Sequence, residues 1–111
     1  MIHIYSLREP SFSLVKDGKK TIEGRLNKNT FKKININDTI NFYNYKNDSI
    51  SVKVIDIRKY KSFTDMIDNE DLNKITPLSK SKKESIQIYK NIYNQNNELK
   101  FGVIALEISL T

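Results

Sequence analysis

The order in which extended and helical periodicities follow one another limits the fold of this chain more than any other feature. "IHIYSL" (2–7) alternates and is rich in β-branched and aromatic residues, as a first strand would be. "EPSFSLVKDG" (9–18) reads as a short helix: Pro10 suits its first turn, Phe12 and Val15 share a face, and Gly18 suits a left-handed position just past its end. "KTIEGRL" (20–26) is extended again. The alternation Ile34, Ile36, Asp38, Ile40, Phe42 predicts an extended segment broken by a turn at "NIND", where Asn37 tolerates the left-handed conformation. "SISVKVIDIRKY" (49–60) is the clearest strand, and its run of Val52, Val54, Ile55 and Ile57 predicts burial on both faces.

Two helices are expected next. Ser62 with Asp65 and Ser81 with Glu84 resemble capping boxes. Phe63, Met66 and Ile67 form one apolar stripe, and Ile86, Tyr89, Ile92 and Tyr93 another. "FGVIALEISL" (101–110) closes the chain as a buried strand. The resulting order, β-α-β-β-β-α-α-β, lacks the regular alternation of a parallel α/β sheet and predicts an α+β domain with a curled or barrel-like sheet. Its expected core comprises Ile22, Ile40, Phe42, Val54, Ile55, Phe63, Ile86, Val103, Ile104 and Leu106.

A chain of 111 residues accommodates a single core, and no repeat or linker divides it, so residues 1–111 are expected to form one domain. No apolar run is long enough to cross a bilayer and the N-terminus does not resemble a signal peptide, so a cytoplasmic location with no membrane partner is expected, as a monomer. The absence of cysteine excludes disulfides and thiolate metal sites. The net charge of +6 is concentrated: between Lys16 and Lys33 stand seven basic residues and only two acids, Asp17 and Glu23. A positive field of that kind favours phosphate-bearing partners, although lysine is abundant throughout the chain.

Within that window lies "GKKTIEGR" (18–25). If the segment after Lys20 is extended, Thr21, Glu23 and Arg25 point to one side and Ile22 and Leu26 to the other. Read alone, this is a solvated strand face with a Glu–Arg pair. The pattern G-x-K-x-x-E-x-R, carried by Gly18, Lys20, Glu23 and Arg25, resembles the hallmark of the ASCH domain family of the PUA-like superfamily. The resemblance extends through "NDTINF", "VKVIDIRKYKSF" and the ending "IYKNIYNQNNELKFGVIALEISL", with Asn37 standing where the family usually has glycine.

The resemblance implies a small β-barrel of about five or six strands with flanking helices, and a cleft beside the motif that takes RNA or a nucleotide-derived ligand. Lys19, Lys20, Thr21, Glu23 and Arg25 are the expected binding residues. Arg25 can make a planar bidentate contact with phosphate or a base edge, Glu23 can orient it, and Tyr43, Tyr45, Tyr60 and Tyr93 are candidates for stacking. Tyr89 and Tyr93 lie at apolar helical spacing and are expected in the core first.

Some small members of the family remove the acyl group from N4-acetylcytidine with a lysine, a threonine and a glutamate. Lys20 matches that lysine, Glu23 occupies the threonine position, and the acid would fall near "DMIDNEDL", where Glu70 and Asp71 are the candidates. Other relatives are linked to RNA cleavage, for which Lys20, Glu23 and Arg25 could supply a proton acceptor and a phosphate clamp. Lys20 and Glu23 are thus the catalytic candidates if the chain is a hydrolase, and a binding module is the reading favoured by the replaced threonine. A protein-interaction domain with a vestigial cleft is a third. No cofactor or metal is expected: His3 is alone in a strand, and the acids Asp65, Asp68, Glu70 and Asp71 have no second cluster to support an ion.

Overall fold

A computed structural model describes residues 1–111, apart from the side chains of residues 29 and 30. Five strands, β1 (Ile2–Ser6), β2 (Ile22–Leu26), β3 (Thr39–Tyr43), β4 (Ser49–Tyr60) and β5 (Val103–Leu110), form one sheet in the order β1-β3-β4-β5-β2. All neighbours are antiparallel except β1 and β3, which run parallel with Ile2 beside Thr39 and Ser6 beside Tyr43. The sheet curls into a half-barrel with flanking helices, the lower of the expected strand numbers in the expected α+β class. The helices are α1 (Ser11–Lys16), α2 (Phe63–Asn69), α3 (Leu72–Ile75), α4 (Lys82–Ile92) and α5 (Gln95–Phe101), with a 3-10 turn at Asn29–Lys33.

β5 organises the interior because both of its faces are buried. Ile104, Leu106 and Ile108 point into the concave side with Ile40, Phe42, Val52, Val54 and the α1 residues Phe12 and Val15. Val103 and Ala105 face a helical layer of Phe63, Met66, Ile67, Ile75 and Tyr89. Two-sided burial explains why "GVIAL" reads as an uninterrupted apolar run rather than an alternating one. The small pair Gly24 and Ala105, side by side on β2 and β5, lets that layer approach closely: a Cβ on Gly24 would stand 2.7 Å from the Met66 terminal methyl.

Three expectations need correction. Ile55 belongs to no core and is 45 % exposed, because a register shift between Val54 and Asp56 inserts it as a bulge residue and turns it outward. Ile86 is half-buried against the helical layer rather than inside it. The helices also number four between β4 and β5, not two. α3 is a single turn capped by the Asp71 carboxylate, and α5 (QNNELKF), capped by Asn94, has no apolar stripe to betray it. The expected caps at Ser62 and Ser81 form, accepting from the backbone N–H of Asp65 and Glu84. The turn at Asn37 is left-handed, with φ of 77°.

Phe63 is fully buried and stacks on Tyr89 and Tyr93 with centroids 4.6 and 5.0 Å away. Phe63→Ala should therefore lower the unfolding free energy by about 3–5 kcal/mol. Ile55→Ala, on the bulge, should change it by less than about 1 kcal/mol. Urea denaturation of the two variants measures the contrast, and equal losses would contradict the placement of Ile55.

Candidate functional site

The motif is shaped by the end of α1. Gly18, at φ of 76°, takes a left-handed conformation that a side chain would disfavour. Its N–H donates to the Val15 carbonyl, and the N–H groups of Lys19 and Lys20 both donate to the Leu14 carbonyl. This tight turn reverses the chain and sends the Lys20 side chain inward, where it is only 4 % exposed. Its ammonium donates to the Ile75 carbonyl at the end of α3, one of the carbonyls that a helix terminus leaves without an internal partner. The neighbouring Lys74 carbonyl accepts from the Thr21 N–H, so α3 docks on the start of β2 through two adjacent acceptors.

Alternation along β2 directs Ile22, Gly24 and Leu26 toward the helices and Glu23 and Arg25 to the other side. Glu23 lies between two cations: Oε1 is 3.5 Å from Lys20 Nζ, and Oε2 accepts from Arg25 Nε at 2.8 Å. Arg25 then donates from Nη2 to the Ser6 carbonyl at 3.0 Å, and its guanidinium lies over the Phe31 ring at 5.2 Å. Since β1 and β2 are the opposite edges of the sheet, this contact clasps the curled edges together.

The electrostatics follow from burial and pairing. Burial pushes the Lys20 ammonium below its ordinary pKa, and Glu23 recovers only part of that loss. For Glu23 burial opposes ionisation, but Lys20 and Arg25 together outweigh it and hold the carboxyl below its usual range. Burial also opposes the charge on Arg25, and Glu23 more than restores it. Burial and then Glu23 push the Tyr89 hydroxyl up, where it lies against the Gly24 backbone.

These groups floor a cleft of about 730 Å³ that opens beside the clasp. Arg8 and Ser6 border it from the β1 side, and Leu78, Ile88, Ile92 and Tyr93 form an apolar wall from the helical side. A charged end thus faces an aliphatic and aromatic one, the usual composition of a small-ligand pocket.

The order of the motif, its turn and the clasped half-barrel agree with the likeness of this chain to known proteins. The ASCH domain family model matches residues 6–111. The chain belongs to the ASCH domain family. The crystal structure of the hypothetical protein PH0355 is similar to this ASCH domain over 100 % of both chains, with 36 % identity and a TM-score of 0.91. The solution NMR structure of protein PF0455 from Pyrococcus furiosus matches 99 % of this chain and 97 % of its own, at 37 % identity and a TM-score of 0.80. Among curated proteins none matches.

Of the residues singled out in the sequence, the ASCH domain brings Lys20, Glu23 and Arg25 together at the cleft, while Lys19 is exposed and Thr21 half-buried, and neither borders it. Glu70 and Asp71 are not brought to it. Arg58 grips Glu70 through Nε and Nη2, both at 2.7 Å, with Tyr60 also donating to the carboxylate, and Asp71 caps α3. Tyr60 packs against the helical layer and does not line the cleft. His3 is structural: its Nε2 lies 2.8 Å from Asp38, whose carboxyl is held at about 2 by His3 and by the Asn35 N–H. Among the described residues no group of three or more acids and histidines is placed to hold a metal ion, and no helix is long and apolar enough to cross a membrane. Sequence reasoning missed Ser6 and Arg8, which carry no local signal and reach the cleft only because the sheet curls.

Removing the Glu23 charge leaves two buried cations uncompensated. Glu23→Gln should cost about 3–5 kcal/mol at neutral pH. The depressed carboxyl contributes stability that is fully present above its ordinary pKa of 4.5 and is lost as pH falls through its lower folded value. The acid limb of the stability profile should therefore be shallower in the variant, as chemical denaturation between neutral and strongly acidic pH measures.

Proposed function

We propose that this ASCH domain binds RNA, or a nucleotide-derived ligand, by taking a nucleotide into the cleft beside Lys20, Glu23 and Arg25. The observation that carries the reading is the shared carboxylate: one negative charge holds two buried cations, so the floor keeps a net positive charge in fixed geometry. Arg25 spends Nε and Nη2 on Glu23 and Ser6, which leaves Nη1 for a phosphate or the acceptor edge of a base. Its position is set before any ligand arrives, which lowers the ordering cost of binding. Tyr93 and the aliphatic residues of α4 offer an apolar surface for a base.

A second reading, a hydrolase in the same cleft, is favoured by one observation. A lysine whose pKa is lowered by burial gives up its proton more readily and so makes a better base or nucleophile than an exposed one. Against it stands Glu23 at the position where the amidohydrolases of the family place a threonine. Its carboxylate is already taken by Lys20 and Arg25, and Lys20 makes no ion pair with any other acid among the described residues. The binding module is therefore the better supported.

Arg25→Ala should weaken binding of single-stranded RNA more than Lys28→Ala, whose ammonium lies over the Phe101 ring away from the cleft. Removing a cation that meets one phosphate should reduce the slope of log affinity against log salt by about one. Fluorescence anisotropy across a salt series measures both, and equal effects, or no binding at low salt, would overturn the assignment. The purified protein should leave N4-acetylcytidine intact. Its hydrolysis, abolished by Lys20→Arg, would establish the hydrolase instead, because a guanidinium stays protonated and cannot act as base or nucleophile.

A further inference from the structure

A second, smaller hollow of about 290 Å³ adjoins the main cleft and shares one wall with it. Ser6, Leu7, Arg8 and Glu9 border both, and Tyr43, Asn44 and Tyr45 complete the second. Three features of this hollow bear on what it can bind. Tyr45 is 80 % exposed and Tyr43 is 42 % exposed, so two aromatic rings stand in solvent on one short segment. The turn that carries Tyr45 is rigid: the Asn44 side-chain oxygen accepts from the N–H groups of Lys46 and Asp48, each at 3.0 Å. Lys46 places its ammonium 5.5 Å from the centre of the Tyr45 ring, bringing a cation to the same platform. Between the two hollows stands Arg8. Its guanidinium forms no ion pair among the described residues, and the adjacent Glu9 is occupied by the backbone N–H and hydroxyl of Ser13.

We infer that the second hollow is a subsite for the neighbouring nucleotide, so that the ligand of this domain is a stretch of single-stranded RNA at least two nucleotides long rather than a free nucleoside. The inference rests on the nucleotide-binding reading of the main cleft. One base enters that cleft, Arg8 meets the phosphate that links it to the next residue, and the next base stacks on Tyr45. An exposed ring on a rigid turn accepts any base on the face that Lys46 does not cover, and the adjacent cation serves the backbone, the combination by which single strands are held without reading their sequence. A duplex is excluded by the same geometry, because its bases are already stacked on one another and cannot cover an isolated ring. Leu7 fixes the relation of the two hollows: its N–H donates to the Tyr43 carbonyl at 2.9 Å, so the shared wall and the platform move as one body.

The test compares a labelled random-sequence single-stranded RNA octamer, a duplex of equal length, and the four ribonucleoside 5′-monophosphates as competitors, each against the wild type, Tyr45→Ala and Arg25→Ala. Tyr45 is exposed, so its variant should fold, as circular dichroism checks. The octamer should bind more tightly than any mononucleotide and than the duplex. Tyr45→Ala should weaken the octamer about tenfold, the order that one base–aromatic stack carries, and leave mononucleotide competition within about twofold. Arg25→Ala should weaken both. Should Tyr45→Ala leave the octamer unaffected, or mononucleotides bind as well as the octamer, the subsite falls while the main cleft stands. Equal binding of the duplex would also overturn it. Binding of none of the probes would remove the reading of the cleft and the subsite with it.

Discussion

The carboxylate of Glu23 sits between two cations that burial would otherwise expel or neutralise, and the arrangement of the motif depends on it. Lys20 is drawn into the interior by the turn at Gly18, and Arg25 by strand alternation, yet neither is stable there without a counter-charge. Through Arg25 the same carboxylate reaches the opposite edge of the sheet at Ser6, and through Lys20 it reaches the end of α3 at Ile75. One residue thus connects β2, β1 and the helical layer. A hydrophobic side chain at position 23 would satisfy packing but leave both cations without a reason to converge.

Positive charge alone does not make such a site, and Arg58 shows why. It makes four charged hydrogen bonds to three carboxylates, two of them to Glu70 and one each to Asp56 and Glu107. Those bonds raise its pKa and leave the cluster net negative. Four of its five N–H donors are spent, and Arg58 is about 30 % exposed, where solvent screens the cluster. Arg25 shares one carboxylate with Lys20, and the trio is net positive. The two arginines differ in the number of acids around them, three carboxylates for Arg58 and one for Arg25.

Much of this was legible in the sequence, for reasons that differ by residue. The strands and caps declare themselves locally, since Ser62, Ser81, Gly18 and Asn37 each answer a backbone requirement within a few residues. The pairing of Glu23 with Arg25 follows from spacing once β2 is extended, and Lys20 joins them because the turn at Gly18 directs it inward. Ile55 and Ile104 look alike in the sequence, and only the bulge beside Val54 decides that one faces solvent. Glu70 falls in the right segment for a cleft acid but is captured by Arg58 of β4. Ser6 and Arg8 needed knowledge of the curl, since they lie 19 and 17 residues before Arg25 and on the opposite edge. Pairings between the two edges of a sheet leave no periodic trace.

The position of the cleft follows from the same curl. A fully closed barrel would pair β1 with β2 along a ladder and abolish both edges, whereas an open sheet would leave two unpaired rows of backbone groups. This half-barrel does neither: a single side-chain clasp from Arg25 to Ser6 draws the edges near, and α3, with the Tyr89 hydroxyl, covers part of the β2 edge. What the clasp does not cover is a hollow between two strand edges, lined by the side chains that made the clasp. An open edge is normally guarded against pairing with other proteins by charge, and here the guarding charges are buried, mutually oriented and net positive. The residues that make the edge safe are therefore also the residues to which ligand binding is proposed here.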